Sequence, residues 1–166
     1  MGDIIIQADA TPEEIIGQLR VLIDDGEPTL TVMSNVASLL YWSLDAVNWV
    51  GFYLRDGDVL RLGPFHGKPA CSVIPFGQGV CGIAAVTGNR MNVPDVLSFE
   101  GHIACDSASR SEMVLPLMLN DSLWGVLDID SPVPNRFSRA EEQLLCSFVE
   151  LFEAHLVRCN GALFSS

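Results

Sequence analysis

The sequence predicts an α+β domain: a central antiparallel sheet with its N- and C-terminal helices packed on one face. Three observations carry this. Apolar residues recur with helical period near the two ends of the chain. The middle runs instead in short aromatic and β-branched stretches. Turn-forming pairs, Asp56-Gly57 and Asn120-Asp121, separate neighbouring stretches.

Taken in order, Thr11-Pro12-Glu13-Glu14 reads as a helix start, with Thr11 as N-cap and Glu14 closing a capping box. Ile15, Ile16, Leu19, Leu22 and Ile23 follow at helical spacing until Gly26. A second helix is expected from Pro28 to about Leu44, with Met33, Val36, Leu40 and Leu44 on one face. "WVGFYL" (49–54) reads as a strand turning at Asp56-Gly57 into "VLRLG" (59–63). "GPFHGKPA" reads as a loop delivering Cys71 into a short strand, "CSVI". A short helix then carries Cys81, "RMNV" makes a brief strand, and residues 94–110 form a long loop containing Cys105. Loops that long in a compact domain usually have a function. "SEMVLPLML" and "SLWGVLDID" form the last strands, and a capping box of Ser138 and Glu141 opens the final helix. The expected organisation is one domain over 1–166, with a helical segment at 11–45, a core at 48–136 and a final helix at 138–158.

The 166 residues are 49% hydrophobic and only 18% charged, and the mean hydropathy is +0.32. This is the composition of a well-buried globular protein. A formal net charge of −12 argues against a nucleic-acid partner, whose phosphates would be repelled. The first residues show no basic region ahead of a long apolar run, and no stretch approaches the ~20 apolar residues that span a bilayer. The expectation is a cytoplasmic protein without a membrane partner. Its five cysteines are then not expected to form permanent disulfides.

Cys105 is the unusual one. It stands in "GHIACDSASRSE", among small and polar residues, where a thiol used for packing does not belong. Cys146, between Leu145 and Phe148, reads as packing, and Cys159 as incidental. Cys71, Cys81 and Cys105 are separated by nine and 23 residues, which gives none of the paired spacings of a structural zinc site. His102 reads as a loop hydrogen-bonder, and His66 and His155 carry no functional sign.

The carboxylates are more informative. Side chains alternate along a strand, so Trp124, Val126, Asp128 and Asp130 are expected on one face. If the Asn120 turn has an odd number of residues, Glu112 falls opposite Asp128 or Asp130 on that face. A two-residue turn would send it to the other. Three like charges at cross-strand spacing are unfavourable unless a proton or a cation neutralises them. They are either solvated at a strand end or the wall of a pocket for an ammonium group or a metal ion. Trp49 and Tyr53, four residues apart on the first strand, read either as core or as the apolar wall of that pocket.

"WVGFYL", "LGPFHGKPAC", "IPFGQGVCG", "GHIACDSASRSE" and "GVLDIDSP" together resemble the free methionine-(R)-sulfoxide reductases, which are stand-alone GAF domains. The resemblance covers about 48–136. It implies that Cys105 attacks the sulfoxide sulfur, that Cys71 resolves the product as a disulfide, and that Cys81 is auxiliary. It also implies that Glu112, Asp128 and Asp130 bind substrate between Trp49 and Tyr53. Free methionine sulfoxide would be the substrate and thioredoxin the reductant, with no metal, flavin or nucleotide cofactor and with a homodimer allowed. The competing readings are a GAF module that senses a small ligand without catalysis, and a thiol redox switch. A pure switch needs no acidic cluster.

Overall fold

The computed structural model describes residues 10–24, 26–101, 103 and 106–164. Six strands pair antiparallel in the order β3-β2-β1-β6-β5-β4. They are β1 (Trp49–Asp56), β2 (Val59–Gly67), β3 (Val73–Pro75), β4 (Met91–Val93), β5 (Ser111–Leu119) and β6 (Ser122–Ser131). The helices are α1 (Pro12–Asp24), α2 (Thr29–Ser43), α3 (Gly79–Thr87) and α4 (Arg139–Arg158), with one 3₁₀ turn at Val96–Ser98. No helix among the described residues is long and apolar enough to cross a membrane.

Both expected capping boxes form. Thr11 N–H donates to Glu14 at 2.7 Å and Glu14 N–H to Thr11 Oγ1 at 3.3 Å. Ser138 and Glu141 make the same reciprocal pair at the head of α4. Helices α1, α2 and α4 cover one face of the sheet, burying Leu19, Met33, Leu40, Phe148 and Phe152 against Phe52, Met113, Leu117 and Leu127. His155 on α4 is buried beneath them, its Nε2 at 3.1 Å from Thr29 Oγ1 at the start of α2. Burial, and then the nearby Arg158 charge, hold its imidazole below the ordinary value, so it sits there neutral. A second core on the other face gathers Trp49, Tyr53, Leu60, Ile74, Val80, Cys81, Val114 and Val126 beneath α3 and β3.

Two local expectations are corrected. The first hairpin turns at Gly57-Asp58, because Asp56 pairs with Val59 and Gly57 takes the positive φ of 62°. Strand β2 also runs on to Gly67, through the stretch expected to be a loop. Pro64 is tolerated there because β3 pairs only with Val59, Leu60 and Arg61, leaving that edge of β2 open.

The β5–β6 hairpin departs more instructively. Leu119 pairs with Ser122 across a two-residue turn in which Asn120 and Asp121 both have positive φ. That turn alone would place Glu112 opposite Ile129, on the wrong face. The register shifts, however, between Leu117 and Met118: Leu117 pairs with Gly125 and Met118 with Leu123. Trp124 is thus the extra residue of a β-bulge. The added residue restores the parity, and Glu112 pairs with Asp130. Trp124 pays no part in the acidic face expected of it. Its ring packs against Phe152 at 5.9 Å and its indole N–H donates to Gly161 O at 3.2 Å, on the helical side.

Gly125 lies beside the bulge, where a Cβ would sit 2.5 Å from the Tyr53 carbonyl oxygen. Gly125→Ala is therefore expected to cost about 2 kcal/mol by forcing β1 and β6 apart. Thermal unfolding should show this as a fall of roughly 4–8 °C in Tm, and an unchanged Tm would show that the strands separate there freely.

Candidate active site

The bulge and the strand pairings bring the predicted residues onto one face. Asp130 lies between Trp49 on β1 and Glu112 on β5, and its neighbour Asp128 lies between Gly51 and Val114. Gly51 is required by packing, because a Cβ there would collide with the Trp49 indole and with Phe65. The indole folds along the strand, stacking on Phe65 at 5.5 Å and on Tyr53 at 5.8 Å. Glu112 and Asp128 are buried, each only 6% exposed, and Asp130 is half-buried at the rim. The solvated-surface reading of these acids is thereby overturned for Glu112 and Asp128.

Burial pushes all three carboxyls well above the ordinary range, and each is pushed further by a like charge: Asp130 on Glu112, Glu112 on Asp128, and Asp128 on Asp130. Glu112 and Asp128 hydrogen-bond to each other. From α3, the Cys81 thiol donates to Glu112 Oε1 at 3.7 Å. Burial, then the Asp128 charge, keep this thiol protonated by raising its pKa. Among the described residues Asp128 Oδ1 is buried without a hydrogen-bond partner. A buried acceptor left in that state is costly and points to a donor that arrives with a ligand.

The donor atoms of Cys81, Glu112 and Asp128 lie within 4.8 Å of one another and could hold a cation. A metal ion would take the thiolate as a ligand; an ammonium group, itself a donor, requires only the carboxylates. The α3 N-terminus adds the opposite polarity. Its N-cap, Gln78, makes no side-chain cap, and Val80 and Cys81, in the first turn, line the same cavity. First-turn N–H groups have no partner within the helix and carry its partial positive charge.

The aromatics do more than form a wall. Trp49 Nε1 donates to Lys68 O and Tyr53 Oη to Cys71 O, both at 3.0 Å. They thus hold the segment that carries Cys71, which is disulfide-bonded. Cys105 and His102, both singled out in the sequence, lie outside the described residues. Cys81, Cys146 and Cys159 are free thiols. Cys146 is half-buried at the edge of the helical core, with Arg90 Nη1 at 3.4 Å from its sulfur. Cys159 caps α4, 3.7 Å from His155 Nε2.

Four polar residues of the site escaped the sequence reading. Asn48 Nδ2 donates to Asp106 Oδ2 at 3.3 Å and to Ser109 Oγ at 3.2 Å. Lys68 Nζ lies 3.5 Å from Asp106 Oδ2, and Ser109 donates to the Asp130 carboxyl. Each is a single polar residue at a strand end or in a loop, with no periodicity to mark it. The cavity beside Asp106 and Ser109 is small, about 30 Å³, and is also lined by Cys81, Ile103, Glu112, Asp128 and Asp130. A further space of about 10 Å³ lies towards Trp49, Tyr53 and Lys68.

Comparison with known proteins agrees with this geometry. The GAF domain family model matches residues 29–156. The free methionine-R-sulfoxide reductase of Escherichia coli is 50% identical over 135 residues, 81% of this chain and 82% of that protein. Protein YtsP of Bacillus subtilis is 47% identical over 87% of this chain and 90% of its own length. The structure of free methionine-R-sulfoxide reductase from Neisseria meningitidis in complex with its substrate superposes with a TM-score of 0.88 at 35% identity, over 95% of this chain and 98% of that one. With its fold shared and 50% identity to such a protein over 81% of its length, the chain is a GAF domain and belongs to the free methionine-R-sulfoxide reductases, a family of oxidoreductases.

Proposed function

We propose that the chain reduces free L-methionine (R)-S-oxide to methionine. The observation that carries this is the buried acid cluster, with its unpartnered Asp128 oxygen, beside the Trp49–Tyr53 stack. Glu112, Asp128 and Asp130 would receive the α-ammonium, the uncapped start of α3 the α-carboxylate, and the aromatic wall the S-methyl end. A peptide-bound methionine sulfoxide has no α-ammonium to offer.

In the proposed chemistry the Cys105 sulfur attacks the sulfoxide sulfur while a carboxyl of the cluster protonates the oxygen. The raised carboxyl pKa values suit a proton donor near neutral pH. Methionine leaves, and the oxygen remains on Cys105 as a sulfenic acid: the sulfoxide is reduced by two electrons and the thiol oxidised by two. The Cys71 thiol then displaces water to form a Cys71–Cys105 disulfide, which a dithiol protein, thioredoxin, reduces by exchange. The disulfide at Cys71 and the three free thiols elsewhere support this pairing. Cys81 would act as an auxiliary residue, steadying Glu112 through its thiol hydrogen bond. We further read the whole chain as one catalytic unit acting in the cytoplasm. Exposed Val21 on α1 and Val157 on α4 leave an apolar helical surface suited to a homodimer.

Cys105→Ser is expected to abolish methionine formation even with abundant dithiol. Cys71→Ser should retain turnover with a small dithiol, which reduces a sulfenic acid directly, and lose it with thioredoxin. Equal loss with both reductants would give Cys71 another role, and ligand binding without methionine formation in the reduced wild type would favour the sensor reading.

N-acetylation removes the charge that the acids meet. Charge-assisted hydrogen bonds are worth ~1.5–3 kcal/mol each, so losing one or two lowers kcat/KM by roughly ten- to ten-thousandfold. Assays of free and N-acetylated substrate as resolved epimers should show that drop, with one epimer of the free form turned over. Comparable rates would remove the ammonium pocket.

Asp128→Asn tests the electrostatics. Its carboxyl has a raised pKa in the fold, so its stabilising contribution is complete below the unfolded value and is lost as pH rises through the folded one. The variant should therefore melt above wild type at pH 8, with the difference closing below about pH 4, and should no longer bind substrate. A lower Tm than wild type at pH 8 would show that the charged form is paid back by contacts within the protein.

A further inference from the structure

The segment following Cys105 is held by one side chain. Asn48 stands immediately before β1 and is fixed in the sheet, its backbone N–H donating to Asp130 O at 3.0 Å. Its amide nitrogen reaches across to Asp106 Oδ2 and to Ser109 Oγ. The amide orientation follows from these partners, because a flip would set its oxygen against the Asp106 carboxylate.

Residues 106–109 form a turn closed on Asp106. Ala108 N–H donates to Asp106 Oδ1 at 2.9 Å and Ser109 N–H to Asp106 O at 3.2 Å. The backbone hydrogen bond from Ala108, with the Lys68 charge, holds the Asp106 carboxyl below its ordinary range, so it is an anion and a strong acceptor. Arg110 N–H donates to Ser131 O at 2.7 Å, joining the end of the turn to the end of β6. Ser109 is buried, and its hydroxyl faces the Asp130 carboxyl as a hydrogen-bond donor.

We infer that Asn48 is a positioning residue of this enzyme: one amide fastens the turn next to Cys105 and, through Ser109, orients Asp130 in the pocket. Its amide nitrogen acts through Asp106 and Ser109. Its effect is to make the place of the chain beside Cys105 and the direction of one pocket carboxyl depend on the same anchor. The inference rests on the assignment of Asp130 and Cys105 under the proposed function. The groups facing Asp130 are Asp128 beside it, Glu112 from β5, Asp106 from the turn, Cys81 from α3 and Tyr53 from β1. Burial and the Asp128 and Asp106 charges favour a protonated Asp130 while the Ser109 hydroxyl favours its anion, so losing the Ser109 bond moves its titration upward.

The test uses the full chain, with Asn48→Ala, Asn48→Asp and Ser109→Ala. Hydrogen exchange of the folded proteins is independent of any activity. In Asn48→Ala the amides of Ala108, Ser109 and Arg110 should exchange at least about ten times faster, with those of Met113 and Ile129 in β5 and β6 unchanged. Reduction of free methionine (R)-sulfoxide should fall about ten- to hundredfold in kcat/KM, the scale of a misplaced reacting group. The acid limb of the kcat/KM profile should move to higher pH in both Asn48→Ala and Ser109→Ala, a shift that loss of stability alone does not produce. Asn48→Asp, which sets a second carboxylate against Asp106, should be the most impaired. Unchanged exchange in 106–110, or a wild-type pH profile in Asn48→Ala, overturns the inference. A wild-type protein without reductase activity would instead refute the proposed function, while the exchange result still decides whether Asn48 anchors the turn.

Discussion

Glu112 and Asp128 are buried beside each other, each meeting a like charge, and much of the site can be understood from that electrostatic tension. Two carboxylates removed from water repel each other and lose their hydration. The protein answers with shared protons, a thiol donor from Cys81 and a hydroxyl donor from Ser109 at the rim. None of these brings a positive charge. The arrangement is stable enough to fold around, and in the proposed reaction the ammonium group of the substrate completes it. In the proposed reaction the same tension serves the chemistry, because a carboxyl that resists ionisation has a proton to give.

The other elements are arranged around this demand. Strand β6 carries two acids on alternate residues, and β5 brings the third across the ladder. Gly51 clears the space beside Asp128 that the Trp49 ring then occupies. The large hydrophobic core under α1, α2 and α4 lies on the opposite face, so the cost of the buried acids is borne by a part of the fold that takes no part in the site. The active face carries less apolar bulk and is covered by α3 and by loops, including the segments that hold Cys71 and Asp106. In the proposed reaction the disulfide forms and breaks, and the ligand enters, on that side.

What could be read in the sequence was what short-range rules determine. Capping boxes depend on residues three apart, and both formed as expected. The grouping of Asp128 with Asp130 depends only on the period of a strand. Glu112 was placed conditionally, because its face depends on the parity of a turn. The turn itself would have given the wrong answer; the bulge at Trp124 corrected it, and the bulge is stabilised by Phe152 and Gly161, far along the chain. Asn48 and Ser109 were invisible for a related reason. Each is one polar residue whose role is created by a partner about sixty positions away, and neither period nor motif records such a meeting.

The bulge has a consequence for how this hairpin can vary. The side of the sheet on which Glu112 emerges is set by the pairing of Leu117 with Gly125, not by the turn at the tip. A tight turn with a bulge and a three-residue turn without one are interchangeable solutions to the same arithmetic. Homologous hairpins are therefore free to relocate the extra residue along 118–124, and a designer is free to trade it for a different loop. A single deletion there is harmless if it removes the bulge and keeps Leu117 opposite Gly125. The same deletion beyond Gly125, in the stretch leading to Asp128, would turn both aspartates towards the helices.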